Sequence, residues 1–473
     1  MWILCYTEDM CDKDAYIQKL EQENAELRKR LDEQAKRIEE LDRLVKQNSK
    51  NSSRPPSSDF GQNSPTSNSD PKPKRKRKPG AQKGHKPNLK QLVPKEHVTK
   101  FENLVAEQCT CGCTDLETCE DPPLRFQTFD LPPIIPTIIE YVQHYRRCKR
   151  CGEYVYQPLP DHIKRNVFGP GVLAIVGVMT GMLNTSKRKA VEVINEVFHV
   201  PMSLGGLSNC EARISDAMAS AYDDLKDYVQ SQDTAHADES GWPRGNRLKG
   251  WLWAMCCATA AFFMIHTNRT QQAARELLGH FSGILHSDRW SGYNIYNHVR
   301  QICWAHLKRD FKSISEAKGE LGRIGSELLE LEAYIFREYH RARDGTIQWK
   351  TFQSRMVGLG SEVERLLQQG GEHNGPLAGK CREILKHREH LWTFVSCPDV
   401  SPTNNAAEQI VRQAVLWRKM SFGTQSHRGA RYVERMLSVC ATCRLQGRSI
   451  IDYIRQACHA HINNQPAPTL RPQ

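Results

Sequence analysis

The sequence predicts a multidomain α/β protein built around one central sheet. Two apolar runs of strand length, 250–258 and 262–266, follow one another closely. A helix-like segment over 270–281 separates them from another strand-like run that ends at Asp288. Leu and Ile then recur at spacings of three and four over 313–395, which predicts a helical subdomain inserted into the sheet domain.

Composition restricts the possible classes of protein. The chain of 473 residues is long enough for several domains, and no apolar run reaches the length of a membrane span. We expect no secretion signal, because acidic residues follow the first apolar residues at once. The 17 cysteines are unevenly placed, which favours reduced thiols and one metal site in a cytoplasm. A net charge of +12 favours a polyanionic partner, and we expect association with the nucleoid.

The N-terminal segment 14–46 has a heptad repeat, which predicts a parallel two-stranded coiled coil and therefore a homodimer. The polar Asn24 at an a position favours this register, because its side chain can face its own copy. The alternative is one amphipathic helix packed on its own protein. The a positions are Ile17, Asn24, Leu31, Ile38 and Val45, and the d positions are Leu20, Leu27, Gln34 and Leu41.

A polar segment from residue 47 to about residue 88 follows, and its Asn, Ser, Pro and Lys content predicts disorder. Its basic run would bind DNA phosphates without reading sequence, whereas the alternative is a solvated linker. The basic residues proposed to contact DNA are Lys74, Arg75, Lys76, Arg77, Lys78, Lys83 and His85.

Two cysteine knuckles predict one structural zinc ion. Cys148 and Cys151 form a C-x-x-C-G knuckle, and Cys109 with Cys111 would complete a tetrahedral set. Cys113 could replace Cys111, because the first knuckle reads C-x-C-x-C. The segment 125–145 between the knuckles is predicted to form strands, and the alternative for the thiols is a set of free, buried cysteines.

Helical patterns over 172–183, 186–198 and 204–229 fit a helix-turn-helix that reads DNA, and they equally fit an ordinary helical bundle. A second basic surface is predicted near the C-terminus. Its residues are Arg412, Arg418, Lys419 and Arg428.

Three carboxylates have the layout of a two-metal phosphoryl-transfer site. Asp238 and Asp288 each end an apolar strand, and Glu408 lies on a helix that Asn404 and Asn405 can cap. Two Mg²⁺ or Mn²⁺ ions held by such oxygens can activate a hydroxyl nucleophile and stabilise the leaving oxygen. Taken singly, each carboxylate fits an ordinary surface or capping role.

Other residues are poorer candidates for the site. His306 has no partner at metal-ligand spacing, and Asp310 lies within a basic helix. The C-x-x-C sequence at Cys440 and Cys443 lies in an apolar helical stretch, where core packing is the better interpretation.

Several motifs in one order resemble the transposases of the insertion-sequence sixty-six family, a bacterial DDE group, over nearly the whole chain. They are 51–59, 78–85, the paired knuckles, 236–240, 287–293, 303–309 and 404–408. The resemblance implies an RNase H-like mixed sheet interrupted by a helical insertion, with Asp238, Asp288 and Glu408 as the catalytic triad. It also implies double-stranded DNA as partner, both the terminal inverted repeats and the target, and small accessory proteins of the same element.

Two other functions are compatible with these observations. One is a catalytically inactive, zinc-containing DNA-binding protein derived from a transposase, and the other is a magnesium-dependent nuclease without joining activity.

The expected organisation is a coiled coil (1–48), a disordered basic linker (49–95), a zinc-binding β module (96–165), a helical DNA-binding region (166–230), the catalytic core (231–312 and 398–462) around a helical insertion (313–397), and a disordered tail (463–473).

Overall fold

The computed structural model describes residues 4–48, 50–52, 92–118, 122–164, 167–245 and 248–472. The chain divides into two compact units. The smaller comprises 63–137 with 197–199, and the larger comprises the remaining residues. Residues 53–91, which make up most of the predicted disordered basic linker (49–95), lie outside the described residues. The prediction of disorder for these residues is therefore untested.

The N-terminal segment is one helix, α1 (Leu4–Val45). The apolar residues of the heptad repeat that the structure describes are exposed, with 66% of Leu31 and 75% of Val45 accessible. The turn after α1 is ordered over 50–52, which corrects the prediction of disorder there. Asn51 is buried and its amide donates to Lys46 O (3.1 Å) and Glu316 Oε2 (2.7 Å), so hydrogen bonds offset the cost of ordering the turn.

The strands predicted over 125–145 are absent from the described residues, and the prediction is wrong. Three prolines at 132, 133 and 136 remove ladder donors, and most side chains of the segment are exposed. A short antiparallel pair, β1 (Arg146–Arg147) and β2 (Tyr154–Val155), instead flanks the second knuckle. In the smaller unit, the Gln127 side chain exchanges two hydrogen bonds with the backbone of Val93.

Helices follow the short α2 (Asp161–Lys164). They are α3 (Pro170–Gly177), which continues into a π-helical turn (Val178–Met182), α4 (Lys187–Glu196), α5 (Leu204–Ala217) and α6 (Ala219–Gln230). Ser203 begins α5 by accepting a hydrogen bond from the backbone N–H of Gly206 at 3.1 Å. The helix predicted over 204–229 is thus two helices, broken at Met218.

The central sheet has five strands and mixed directions. They are β3 (Thr234–Gly241), β4 (Trp251–Cys256), β5 (Ala261–His266), β6 (Ile284–Ser287) and β7 (Arg300–Ile302), with α7 (Gln271–Leu278) between β5 and β6. The order is β5-β4-β3-β6-β7. The pairs among β5, β4 and β3 are antiparallel, and β3 with β6 and β6 with β7 are parallel. This confirms the predicted mixed α/β class.

Helices α8 (Trp304–Ser315), α9 (Gly319–Arg343), α10 (Trp349–Glu372), α11 (Pro376–Leu385) and α12 (Thr393–Ser396) follow β7. They have a hydrophobic core of their own, which includes Trp304, Phe352 and Phe394. The sheet and the other helices share a different core. The inserted helices therefore bury their apolar faces mainly against one another.

Three helices complete the chain: α13 (Asn405–Ser421), α14 (His427–Leu445) and α15 (Ile450–Ile462). The predicted disorder of the tail is wrong for 463–472. Leu470 is fully buried, its carbonyl accepts from Gln446 Nε2 (2.7 Å), and Arg471 forms an ion pair with Asp224 at 2.5 Å. Among the described helices, none is long and apolar enough to cross a membrane.

The free edge of β5 is covered by polar side chains of α14. Glu434 Oε1, Ser438 Oγ and Thr442 Oγ1 accept from the backbone N–H groups of Ile265 (2.6 Å), Phe263 (3.0 Å) and Ala261 (3.1 Å). The three helix residues are spaced by four positions, a rise of about 6 Å, and the three strand residues are spaced by two positions, a rise of about 6.8 Å. The helix acceptors and the strand donors therefore remain opposite one another. Cys440 and Cys443 of the same helix are buried in the core, as predicted.

The opposite edge, at β7, is covered by the segment around α12. Thr393 Oγ1 donates to Arg300 O at 2.5 Å, and the Gln301 amide bonds with Leu391 O (3.1 Å) and with the N–H of Phe394 (2.8 Å). Backbone groups at both edges of the sheet are thus satisfied by neighbouring elements of the same chain.

We expect Ser438→Ala to lower the free energy of unfolding by about 1–3 kcal/mol, because the buried N–H of Phe263 loses its acceptor. Chemical denaturation measures this. The matched control is Ser354→Ala on α10, where the exposed hydroxyl donates only to Lys350 O within its own helix, and a change within about 0.5 kcal/mol is expected. Equal effects of the two variants would contradict the edge-covering role of Ser438.

Candidate active site

Two adjacent parallel strands, β3 and β6, place the two aspartates side by side. His236 of β3 is paired with His286 of β6, so the same register carried two residues further places Asp238 beside Asp288. Asp288 directly follows β6, as predicted. Asp238 does not end its strand as predicted, because β3 continues to Gly241 through pairing with β4.

Glu408 comes to this place on the first turn of α13, which packs on β3 and β4. The residue that fixes the helix is Asn404. Its buried amide donates to Ala237 O (2.8 Å), its Oδ1 lies 3.0 Å from His236 Nδ1, and its backbone N–H donates to Cys303 Sγ (3.1 Å). Asn404 was predicted to cap α13 with its side chain, and this is wrong, because that side chain is bonded to β3 instead.

The neighbouring acids act on the protonation of Asp238. Burial raises the pKa of Asp238 well above its usual value, and the charges of Glu239, Asp288 and Glu408 raise it further. A divalent cation would relieve the repulsion that these charges exert on Asp238, and the three carboxylates supply the oxygen ligands that Mg²⁺ prefers.

Glu239, the neighbour of Asp238, is neutralised from within the protein. It forms an ion pair with Arg269, and its Oε2 accepts from Tyr293 at 2.8 Å. Arg269 in turn lies over the rings of Trp251 (5.0 Å) and Trp290 (4.6 Å). Burial raises the pKa of Glu239, whereas Arg269 and Tyr293 oppose that shift. Glu239 thus has a cationic partner within the protein, Arg269.

Two histidines lie next to the aspartates in the sheet. The rings of His236 and His286 stack with centroids 3.9 Å apart and planes 20° apart. Burial lowers the pKa of both, and the neighbouring imidazole lowers that of His286 further. Both rings are therefore neutral near pH 7 and compensate none of the carboxylate charge.

A further group of potential metal ligands adjoins Glu408. Ligand atoms of Cys303, His306 and Glu408 all lie within 4.8 Å of one another. The prediction that His306 lacks a metal-spaced partner is thus wrong. The Cys303-x-x-His306 spacing at the start of α8 was the signal that could have revealed the pair, since it places the two residues one helical turn apart. Neither aspartate belongs to this group.

Both cysteine knuckles form tight turns in the described residues. The Cys109 N–H donates to Cys113 O at 2.8 Å, and the Cys148 N–H donates to Glu153 O at 2.8 Å. Backbone N–H groups lower the pKa of the Cys109 thiol, through Cys111, and of the Cys148 thiol, through Cys151. Each turn thus favours the thiolate form that binds zinc.

The basic residues predicted to contact DNA differ in their exposure to solvent. Arg412, Lys419 and Arg428 are exposed, and Arg428 also donates to Ser208 O at 3.1 Å. Arg418 is half-buried and donates to Gly241 O and to Ser240 Oγ (3.2 Å) at the end of β3. Lys74, Arg75, Lys76, Arg77, Lys78, Lys83 and His85 lie outside the described residues.

We expect Asp238→Asn to raise the melting temperature in EDTA by about 2–4 °C, the shift that ~1 kcal/mol gives in a domain of this size, because one buried repulsive charge is removed. Mg²⁺ should raise the melting temperature of the wild type and leave that of the variant nearly unchanged. Differential scanning calorimetry measures both. Glu330→Gln, at an exposed position of α9, is the control. An equal response of Asp238→Asn and the wild type to Mg²⁺ would contradict cation binding at Asp238.

Comparison with known proteins identifies the family of the chain. The family described as "Transposase IS66 family" matches residues 165–432, and a "Family of unknown function (DUF6444)" matches 10–91. Two uncharacterized proteins of Sinorhizobium fredii (strain NBRC 101917 / NGR234) are similar. Uncharacterized protein y4hP is 25% identical, and the similarity covers 71% of this chain and 67% of y4hP. Uncharacterized protein y4qI is 23% identical, and the similarity covers 78% of this chain and 74% of y4qI. Because the transposase match spans more than half of the sequence, the chain belongs to the IS66 family of transposases.

Proposed function

We propose that the protein is a DDE transposase that binds the terminal inverted repeats of its element and catalyses divalent-metal-dependent DNA cleavage and strand transfer. Membership of a transposase family implies DNA as the partner and a DNA-cleaving and DNA-transferring enzyme. The observation that supports the proposal is the register that brings Asp238 of β3 beside Asp288 after β6, together with the charges of Asp288 and Glu408, which raise the pKa of Asp238.

The architecture supports an RNase H-like catalytic core. Three antiparallel strands are extended by two parallel ones, with Asp238 on the first strand in chain order and Asp288 directly after the fourth. The second core formed by α8–α12 supports treating those helices as an insertion. We propose a catalytic core of 231–312 and 398–462, in which most of α8 belongs to the core by its position in the sequence although this helix packs with the inserted helices.

Each acid has a distinct task in the proposed mechanism. Asp238, Asp288 and Glu408 would hold two Mg²⁺ or Mn²⁺ ions, with Asp238 as the ligand that both ions share and Asp288 and Glu408 each as a ligand of one ion. When bound, such ions activate a hydroxyl nucleophile and neutralise charge on the leaving oxygen. Asn404 holds the start of α13 to β3, so Glu408 approaches Asp238 at a fixed position. Glu239 stays bound to Arg269 and serves the fold of β3.

The exposed cations supply the proposed DNA surface of the core. Arg412, Lys419 and Arg428 would contact phosphates, together with the basic arm over 74–85. Arg418 would act indirectly, because its guanidinium holds the end of the strand that carries Asp238. The helical region 166–230 is proposed to read the terminal repeats.

One structural zinc ion is proposed for the knuckles, with Cys109, Cys111, Cys148 and Cys151 as ligands and Cys113 as the alternative to Cys111. Support comes from the turn at each knuckle and from the lowered pKa of Cys109 and Cys148. Four thiolates leave no open position on the ion, so its role would be structural.

We expect Asp288→Asn and Glu408→Gln each to reduce strand transfer at least about a hundredfold, since a lost ligand removes several kcal/mol of charge stabilisation. The assay joins a labelled duplex with the element's end to a target plasmid in Mg²⁺. Glu330→Gln should transfer like the wild type. Nicked products without joined target would indicate a nuclease. Equal activity of the wild type and Asp288→Asn would exclude this site.

We also propose a homodimer through α1, supported by the exposed apolar seam of that helix. Replacing Leu27 with Glu places a charge at a d position and should convert the dimer to a monomer in analytical ultracentrifugation. Lys29→Glu, at the outward f position, should remain dimeric. A Leu27→Glu variant with an unchanged sedimentation coefficient would contradict the coiled coil.

A further inference from the structure

We propose that Cys303, His306 and Glu408 form a site for one transition-metal ion of the zinc class, and that its occupation withdraws Glu408 from the aspartates and inhibits strand transfer. The inhibition rests on the proposed function of Glu408, whereas the binding of the ion does not. The ion would be distinct from the zinc of the cysteine knuckles and from the proposed magnesium pair.

The local fold brings the three side chains together for separate reasons. Cys303 follows β7, and its N–H donates to Ser287 O at 3.0 Å, which fixes it beside the end of β6. His306 lies one turn into α8, on the same side as Cys303. Glu408 comes from α13, whose preceding residue Asn404 donates its N–H to Cys303 Sγ.

The distances fit a shared ion better than direct contacts. His306 Nδ1 and Glu408 Oε1 are 3.7 Å apart, too far for a hydrogen bond. Two ligands at about 2.0–2.1 Å from one tetrahedral ion lie about 3.3 Å apart. Both atoms are buried and have no hydrogen-bond partner in the described part of the chain. Arg309 Nη2 is also 3.7 Å from Glu408 Oε1, so it attracts the carboxylate without saturating it.

The ligand chemistry selects the class of metal. One thiol, one imidazole and one carboxylate give a mixed sulfur, nitrogen and oxygen set that suits Zn²⁺ or Co²⁺, whereas Mg²⁺ prefers oxygen alone. Three protein ligands leave a fourth position open to water or another ligand. The Asn404 N–H stabilises negative charge on the Cys303 sulfur, as groups that bond to metal ligands commonly do.

A carboxylate that binds this ion is turned toward α8 rather than toward β3 and β6. Glu408 belongs to the Cys303–His306 group, and neither Asp238 nor Asp288 does. A Glu408 side chain held by zinc would therefore be absent from the ligand set of the aspartates. We infer that Zn²⁺ and the magnesium-dependent reaction compete for one side chain.

The test is a titration of the full-length, metal-free protein with Co²⁺, followed by sulfur-to-cobalt charge-transfer absorption and by the number of ions bound. His306→Gln and the near-isosteric Cys303→Ser are compared with Cys397→Ser, a cysteine outside the group. Cys148→Ser removes a knuckle ligand. The Co²⁺ binding lost in this variant and the Co²⁺ binding lost in His306→Gln should therefore add up in the double variant. Near-ultraviolet circular dichroism verifies the fold of each variant.

We expect His306→Gln and Cys303→Ser each to bind one Co²⁺ fewer per chain, or to bind it at least about tenfold more weakly, with Cys397→Ser like the wild type. In the transfer assay, Zn²⁺ should inhibit the wild type in the presence of Mg²⁺ and inhibit Cys303→Ser at least about tenfold less. Unchanged cobalt binding in both His306→Gln and Cys303→Ser would overturn the site.

The two proposals fail in different ways. If Glu408→Gln abolishes transfer while both variants bind cobalt like the wild type, the DDE function stands and the zinc site is wrong. If cobalt binding is lost as expected while Glu408→Gln transfers normally, the metal site stands and the catalytic role of Glu408 is wrong. Cobalt binding without inhibition by Zn²⁺ would overturn the proposed competition for Glu408.

Discussion

The hydrogen bonds of Asn404 connect it with residues 101 to 168 positions away in the sequence, and the rest of the candidate site depends on them. One side chain donates to Ala237 O and bonds with His236, while the backbone N–H of the same residue reaches Cys303. These bonds are buried, where leaving a partner unsatisfied costs most. They hold α13 against β3 after the chain has passed through five inserted helices.

Helices α8–α12 share a core of their own, and the segment around α12 also bonds to β7 at the edge of the sheet. The two ends of the insertion are fixed, since the Trp304 N–H donates to Pro402 O at 2.9 Å. The strand that delivers Cys303 and the segment that delivers Asn404 are thus held together at the base of the insertion. Changes in the far part of the insertion need not disturb the position of Glu408.

The sequence alone predicted the strands and helices of the core because their apolar runs have clear periods. It also predicted Asp288 at the end of β6. The failures involve partners that are distant in sequence. Asn404 looked like a helix cap, and only the folded chain shows that its amide faces β3. His306 looked isolated, because Glu408 lies on another helix.

Two further failures have a compositional origin. The segment 125–145 is rich in apolar and β-branched residues, but its prolines remove hydrogen-bond donors, so apolar content alone was misleading. The tail appeared too polar and proline-rich to be ordered, yet Leu470 is buried and Arg471 meets Asp224 on α6. The residues that hold the tail, such as Asp224 and Gln446, are too distant in sequence to appear in a local window around it.

The covering of β5 by α14 has a consequence for synthesis of the protein. Ile265 leaves the ribosome well before Glu434, and at about 5–20 residues per second the delay is roughly 10–30 s. During that interval the nascent sheet has an open edge that can pair with other strands. Glu408 emerges within the same interval, so the chain gains its third acid and the protection of its sheet at nearly the same stage of translation.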